Sequence, residues 1–164
     1  MKHRILFFNL LISILFISSC NKDAIYRKCI TLPDNIWDMN KPLVFDVPVS
    51  DTLNKYNIYV TVRNADSYDF NNLYLFIDIK SPMKITERDT MECILADASG
   101  KWLGDGLGDI WDNKILFKRN VKFQKPGIYE FMLTQAMRVD SLPMIMDAGI
   151  SIEKSIVNSP PKAN

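Results

Sequence analysis

The sequence is poor in the residues on which most enzyme and metal chemistry depends. Among 164 residues it has one histidine, His3, three cysteines and six glycines. Because His3 lies in a segment that we expect to be removed, a Ser-His-Asp or Cys-His arrangement cannot form in the mature chain. A formal net charge of +1 provides no basic excess for nucleic acid. We therefore expect no catalytic residue, no metal, no cofactor and no nucleic-acid partner.

The first residues have the features of an export signal. A basic start, Met1-Lys2-His3-Arg4, precedes an almost entirely apolar run over residues 5–17, and Ser18-Ser19-Cys20 closes it. This order of basic, apolar and small residues is typical of a secretory signal peptide. The alternative is a short anchor that is retained, but the apolar run is shorter than the roughly 20 residues needed to cross a bilayer.

The end of this segment, Ile17-Ser18-Ser19-Cys20, resembles the bacterial lipobox. That resemblance implies cleavage before Cys20 and acylation of Cys20, which would hold the mature protein on a membrane. We expect a protein of the cell envelope that faces the periplasm, on the outer membrane in preference to the inner one. The other cysteines, Cys29 and Cys93, form either one disulfide or two small buried apolar side chains, and we favour the second reading.

The body of the chain shows the period-two alternation of β-strands. We predict an all-β fold, an antiparallel β-sandwich of about eight strands behind the lipoprotein signal peptide. Residues 35–40 and 135–140 are short enough to hold one helical turn each. The predicted organisation is a signal peptide over 1–19, a lipidated Cys and tether over 20–24, the sandwich domain over 25–157 and a flexible tail over 158–164. The alternating apolar positions are Leu43, Phe45, Val47 and Val49; Tyr56, Ile58, Val60 and Val62; Leu73, Leu75, Ile77 and Ile79; Met91, Cys93 and Leu95; Ile115 and Phe117; Val121 and Phe123; Tyr129, Phe131 and Leu133; Ile150 and Ile152.

Four of the six glycines fall in one stretch, which we call the glycine-rich segment (residues 97–113). Its spacing matches neither a phosphate-binding P-loop nor a dinucleotide fingerprint. Calcium is an alternative on ligand type alone. We favour a structural role in which glycines accept positive φ and aspartates cap backbone N–H groups. The candidate calcium ligands are Asp97, Asp105, Asp109 and Asp112.

The stretch from Leu73 to Lys154 resembles the gliding motility lipoprotein family GldH of Bacteroidetes. The resemblance implies a lipid-anchored, non-enzymatic component associated with gliding and with the type IX secretion machinery. It provides no catalytic residue or cofactor to carry over. The matching segments are Asn72-Leu73-Tyr74-Leu75-Phe76-Ile77, Asp89-Thr90-Met91-Glu92, Leu95-Ala96-Asp97, Gly100-Lys101-Trp102-Leu103-Gly104, Gly106-Leu107-Gly108-Asp109-Ile110, Gly127-Ile128-Tyr129, Gln135-Ala136-Met137-Arg138 and Asp147-Ala148-Gly149-Ile150.

Two functions follow from these observations. The favoured one is a module that binds other envelope proteins and takes no small-molecule ligand. The alternative is a carbohydrate-binding sandwich that stacks sugars on Trp37, Trp102 or Trp111. We further expect Arg138 to pair with Asp97 or Asp109. The candidate interaction residues are Lys101, Trp102, Asp105, Asp109, Trp111 and Arg138.

Overall fold

A computed structural model describes residues 24–155, and the predicted signal peptide, Cys20 and the whole of the predicted tail lie outside these residues. Within them the only helical element is one 3-10 turn, Pro33–Asn35, and none of their helices has the length and apolarity to cross a membrane. The prediction of an all-β sandwich is confirmed. The strands are β1 (Ala24–Thr31), β2 (Ile36–Asp38), β3 (Leu43–Val49), β4 (Tyr56–Ala65), β5 (Asn72–Lys80), β6 (Thr86–Ile94), β7 (Asp105–Leu107), β8 (Ile110–Val121), β9 (Gly127–Gln135), β10 (Ser141–Pro143) and β11 (Ile145–Lys154).

The strands form two main antiparallel sheets and one small one. The five-stranded sheet has the order β1-β11-β4-β8-β7, and the four-stranded sheet has the order β3-β9-β5-β6. A two-stranded sheet pairs β10 with β2. Strands that follow each other in the chain often lie in different sheets, as expected for a sandwich with non-local pairing.

Alternating side chains build the core between the two main sheets. In β3 the four residues from Leu43 to Val49 that share one face are all buried, and the three between them are exposed. The core-facing side of β4, in the other sheet, lies opposite these β3 residues. Its buried residues are Tyr56, Ile58, Val60 and Val62. This arrangement requires the period-two spacing seen in the sequence, because successive strand residues point to opposite faces.

The connections at the two ends of the sandwich differ. β1 begins at Ala24, opposite Glu153 near the end of β11, and we call this the Ala24 end. The connections 50–55, 81–85 and 122–126 lie at the same end, because they join strands that stop or start there. The other connections, which include most of the glycine-rich segment, lie at the opposite end, which we call the glycine-rich end.

Two details of the sequence interpretation need correction. Residues 36–38 form the short strand β2 instead of a helical turn, and residues 136–140 form an irregular loop. The preferred reading of the two cysteines as unpaired is confirmed, because Cys29 and Cys93 are both free, but the expectation that both are buried is wrong for Cys29. Cys93 is buried in the core, whereas Cys29 is exposed and hydrogen-bonds Thr61 on the outer face of the other sheet. The thickness of the sandwich therefore separates the two sulfur atoms.

Candidate functional site

A tight hairpin opens the connection between β6 and β7. Asp97 Oδ1 accepts hydrogen bonds from the backbone N–H groups of Ser99 at 2.8 Å and Lys101 at 3.0 Å. Leu103 N–H donates to Leu95 O at 2.8 Å, which closes the hairpin. The hydrogen bonds from Ser99 and Lys101 hold the pKa of Asp97 below its ordinary value. Asp97 thus caps backbone groups, as the structural reading of this segment predicted.

One carboxylate oxygen fixes both tryptophans of the segment. Asp66 Oδ1 accepts from Trp102 Nε1 at 2.9 Å and from Trp111 Nε1 at 3.0 Å. The two ring centroids are 6.4 Å apart and the ring planes are tilted by 30°. The backbone N–H of Asp66 also donates to Asp109 O at 2.8 Å. The turn after β4 is therefore tied to the hairpin and to the start of β8 together.

The glycines allow the segment to lie against β8. A Cβ on Gly106 would stand 2.4 Å from the ring of Trp111, and one on Gly104 would stand 2.7 Å from Asp112 O. No side chain larger than hydrogen fits these positions without displacing the ring or the strand. Beneath them Asn113 is buried, and its amide donates to Asn64 Oδ1 at 2.9 Å. The glycine spacing thus reflects close packing of backbone on an indole ring.

A second stretch that carries the family resemblance, residues 135–138, lies beside the glycine-rich segment. The buried Gln135 donates from Nε2 to Val139 O at 2.8 Å and accepts from the Met137 backbone N–H at 2.9 Å. Ala136 N–H donates to Tyr74 O at 2.8 Å. Because the hairpin also bonds to Asn71 O just before β5, both segments are attached to the start of the same strand. Gln135 is thus the residue that shapes this loop.

The third segment, Asp147 to Ile150, is part of β11: Ala148 and Ile150 are buried in the core, and Asp147 and Gly149 point to the outer face of the five-stranded sheet. Arg63 pairs with Asp112 at 2.7 Å and with Asp147 at 3.2 Å, joining β4, β8 and β11. Burial raises the pKa of Asp147 above its ordinary value, against the lowering effect of Arg63. A Cβ on Gly149 would stand 2.7 Å from Cys29 Sγ, so this glycine makes room for neighbouring side chains. These residues border an open cleft of about 600 Å³.

The predicted interaction residues fall into two groups. Trp102 and Trp111 are partly buried and are held by Asp66, whereas the remaining ones are exposed at the glycine-rich end. The predicted pairing of Arg138 with Asp97 or Asp109 is wrong. No ion pair of Arg138 occurs within residues 24–155, and the Asp97 carboxylate is taken by Ser99 and Lys101. The exposed group is Lys101, Asp105, Asp109 and Arg138.

The structure also bears on two alternatives left open by the sequence, sugar binding by tryptophans and calcium binding by aspartates. Trp37 is fully buried in the core and cannot form a stacking platform for sugars. Two of the four aspartates considered for calcium have other partners: Asp97 binds backbone N–H groups and Asp112 binds Arg63. In the described part of the chain, no group of three or more His, Cys, Asp or Glu residues is arranged to hold a metal ion.

Sequence analysis did not identify Asp66 as part of the site. Asp66 lies in a turn with Asn64, Ala65 and Ser67, and its composition indicates only a change of chain direction. The sequence signal for such a residue was the presence of two tryptophans, because the indole N–H of a tryptophan packed against a core usually needs a hydrogen-bond acceptor. Which acceptor meets them depends on long-range pairing of strands that local pattern does not reveal.

Comparisons with known proteins identify the family of the chain. The profile of the GldH lipoprotein family matches residues 24–152. The gliding motility lipoprotein GldH of Flavobacterium johnsoniae is 34% identical over 152 residues, covering 88% of this chain and 94% of the relative. The gliding motility lipoprotein GldH homolog of Christiangramia forsetii is 32% identical over 155 residues, covering 90% and 94%. No solved structure matches the chain. The chain belongs to the GldH lipoprotein family.

Proposed function

We propose that the protein is a non-enzymatic assembly component of the envelope that is acylated at Cys20 and binds another envelope protein through its glycine-rich end. The observation that carries this proposal is the convergence of two family segments at one end of the sandwich. There they build a fixed surface around Asp66 and Gln135. Membership of a lipoprotein family and the lipobox at Cys20 support the anchor.

The glycine-rich end has the properties of a pre-organised binding surface. The indole N–H groups, the Asp97 carboxylate and the Gln135 amide are all used internally. Leu103, which follows the hairpin and borders the open cleft beside Gly104 and Asp105, is 58% exposed. A surface already held by internal hydrogen bonds loses little conformational entropy when a partner binds, so a modest contact area suffices for recognition.

The setting of this binding is proposed from the relatives. Both carry names that associate them with gliding motility. We propose that this protein serves the machinery shared by gliding and type IX secretion, from the periplasmic face of the outer membrane. A protein that joins such machinery needs an anchor and a recognition surface, and it does not need a cleft with chemistry of its own.

A pull-down from the protein's own envelope tests the proposal. The tagged full-length protein is expected to recover motility or secretion proteins, and Leu103→Asp is expected to lose them. Val44→Asp is the matched control, because Val44 is also exposed but lies on the outer face of the four-stranded sheet. Equal recovery by both variants would contradict the assignment of the surface. Retention on a glycan array without any envelope protein would favour the carbohydrate-binding alternative.

A further inference from the structure

Two of the three connections at the Ala24 end expose apolar side chains. Leu53 is 87% exposed, Ile85 56% and Met83 43%, and Ile128 at the start of β9 is 61% exposed. Between two of these connections lies a cleft of about 470 Å³ with largely apolar walls. Isolated exposed apolar residues are common, but several of them at one end of the sandwich, two of which border an apolar cleft, favour contact with a partner.

The charges at this end are mostly positive. The connections 50–55, 81–85 and 122–126 carry four lysines and one aspartate. The connections at the glycine-rich end carry six aspartates against two lysines and one arginine. The sandwich is thus basic at one end and acidic at the other, which would orient it toward an anionic surface.

The position of Cys20 brings the same end to a membrane. Cys20 precedes Ala24 by four residues, so its Cα lies within about 14 Å of the first residue of β1, even for a fully extended chain. Acyl chains on Cys20 would therefore hold the Ala24 end against the lipid headgroups. Apolar tips flanked by lysines are the usual composition of surfaces that enter the headgroup region.

We propose that the Ala24 end is a lipid-binding face, on which Leu53, Met83, Ile85 and Ile128 enter an anionic bilayer surface and the neighbouring lysines contact its headgroups. This inference rests on the anchor at Cys20 proposed above. It fixes the orientation of the molecule. The ten residues of β4, at about 3.3 Å each, then place the glycine-rich end about 30 Å from the bilayer, free for protein contacts.

Quenching of tryptophan fluorescence by brominated lipids tests the orientation. The full-length acylated protein is reconstituted in phosphatidylethanolamine–phosphatidylglycerol vesicles with bromine on the acyl chains. The native Trp37 is in the core, and Trp102 and Trp111 lie at the far end, so wild-type emission is expected to be unaffected. Leu53→Trp is expected to lose the emission of the added tryptophan. Leu103→Trp, the matched control at the glycine-rich end, is expected to keep it.

Charge reversal provides a second measurement on the same vesicles. Lys84→Glu combined with Lys122→Glu is expected to reduce the quenching of Leu53→Trp. The reason is that each lysine near an anionic surface contributes about five-fold to its binding. Lys101→Glu is the control, because Lys101 is exposed at the other end. Phosphatidylcholine vesicles should give weaker quenching than the anionic ones.

The outcomes separate this inference from the anchor. If the protein floats with the vesicles but Leu53→Trp is not quenched, the lipid-binding face is wrong and the anchor stands; the patch then faces a protein. Equal quenching of Leu53→Trp and Leu103→Trp would overturn the orientation. If the protein does not float with the vesicles at all, the anchor at Cys20 fails and the lipid-binding face fails with it.

Discussion

The tryptophans of the glycine-rich segment are held by a single oxygen atom, and their surroundings leave little freedom. Asp66 accepts from both indole N–H groups, while Gly106 lets the ring of Trp111 approach the backbone. At the scale of residues, the segment is therefore a packing motif. Its chemistry consists of hydrogen bonds that are internally satisfied, and such groups stabilise a surface without reacting.

Gly106→Ala tests this packing. The added methyl group would overlap the Trp111 ring, so we expect the free energy of unfolding to fall by about 1–3 kcal/mol, as for other overpacked sites. Chemical denaturation measures the loss. Gly108→Asn is the control: Gly108 has a positive φ of 68° but open space around it, and asparagine tolerates that backbone region. Equal losses for both variants would mean that the ring contact does not stabilise the segment.

The two free cysteines are expected to react very differently. Burial raises the pKa of the Cys93 thiol to about 12, so almost no thiolate is present at neutral pH, whereas Cys29 is exposed. In the folded protein, maleimide should label Cys29 and leave Cys93 unlabelled until denaturant is added. Cys29→Ser should abolish the native labelling at these two positions. A disulfide between the two would leave both unreactive in the absence of a reductant.

At the scale of elements, alternation predicted the long strands and missed the short ones. β3 and β9 were recognisable because one face of each is buried and the other is not. Strands β2, β7 and β10 have three residues each, too few for alternation to be visible. β8 was predicted as two pieces. Its register against β4 shifts near Ile58, which interrupts the alternating pattern without ending the strand.

The candidate site was predictable only in part, because some of its residues are distant from one another in the chain. Local sequence located the glycine-rich segment, since glycine and aspartate are typical of turns, and the family resemblance located residues 135–138. The partners that complete the site come from β4 and from the turn after it, which are distant in the chain. Pairing of Arg138 with an aspartate was inferred from charge alone. Charge does not determine which donors lie within hydrogen-bonding distance of a carboxylate.

Asp78 on β5 supports a prediction about the β5–β6 pair. Its carboxylate is nearly buried and receives two hydrogen bonds of 2.7 Å from Arg88, which hold the pKa of Asp78 below its ordinary value. A lowered pKa in the folded state stabilises the protein above the unfolded-state pKa. That stabilisation is lost as the pH falls from about 4 through the folded-state pKa. We expect Asp78→Asn to lower the melting temperature at neutral pH by about 4 °C.

The pH dependence distinguishes this ion pair from a change in packing. The difference in melting temperature between wild type and Asp78→Asn should shrink as the pH is lowered below 4, because the wild-type carboxylate then becomes protonated as well. Asp46→Asn is the control, since Asp46 is exposed on the same face of the sheet. A difference that stays constant with pH would show that the ionised form of Asp78 does not stabilise the pair.

At the scale of the whole molecule, the two ends of the sandwich have different compositions. The Ala24 end is basic with apolar tips, and the glycine-rich end is acidic and carries two family segments. A sandwich suits this division, because its connections cluster at two ends while the sheets between them keep those ends apart. An anchor at one end leaves the other free to meet a partner.

Cys20→Ala separates anchoring from folding. Each buried methylene of an acyl chain contributes about 0.8 kcal/mol to membrane binding, so the wild-type protein should stay with membranes through alkaline carbonate extraction. Since the strands begin at Ala24, after the altered position, the variant should fold and melt as the wild type does. It should nevertheless be extracted from membranes by carbonate and should fail to restore motility or secretion in a deletion strain. Cys29→Ala, which removes the exposed cysteine of β1, should behave as wild type. A Cys20→Ala protein that stays with membranes and restores the phenotype would show that the lipidated residue is not Cys20.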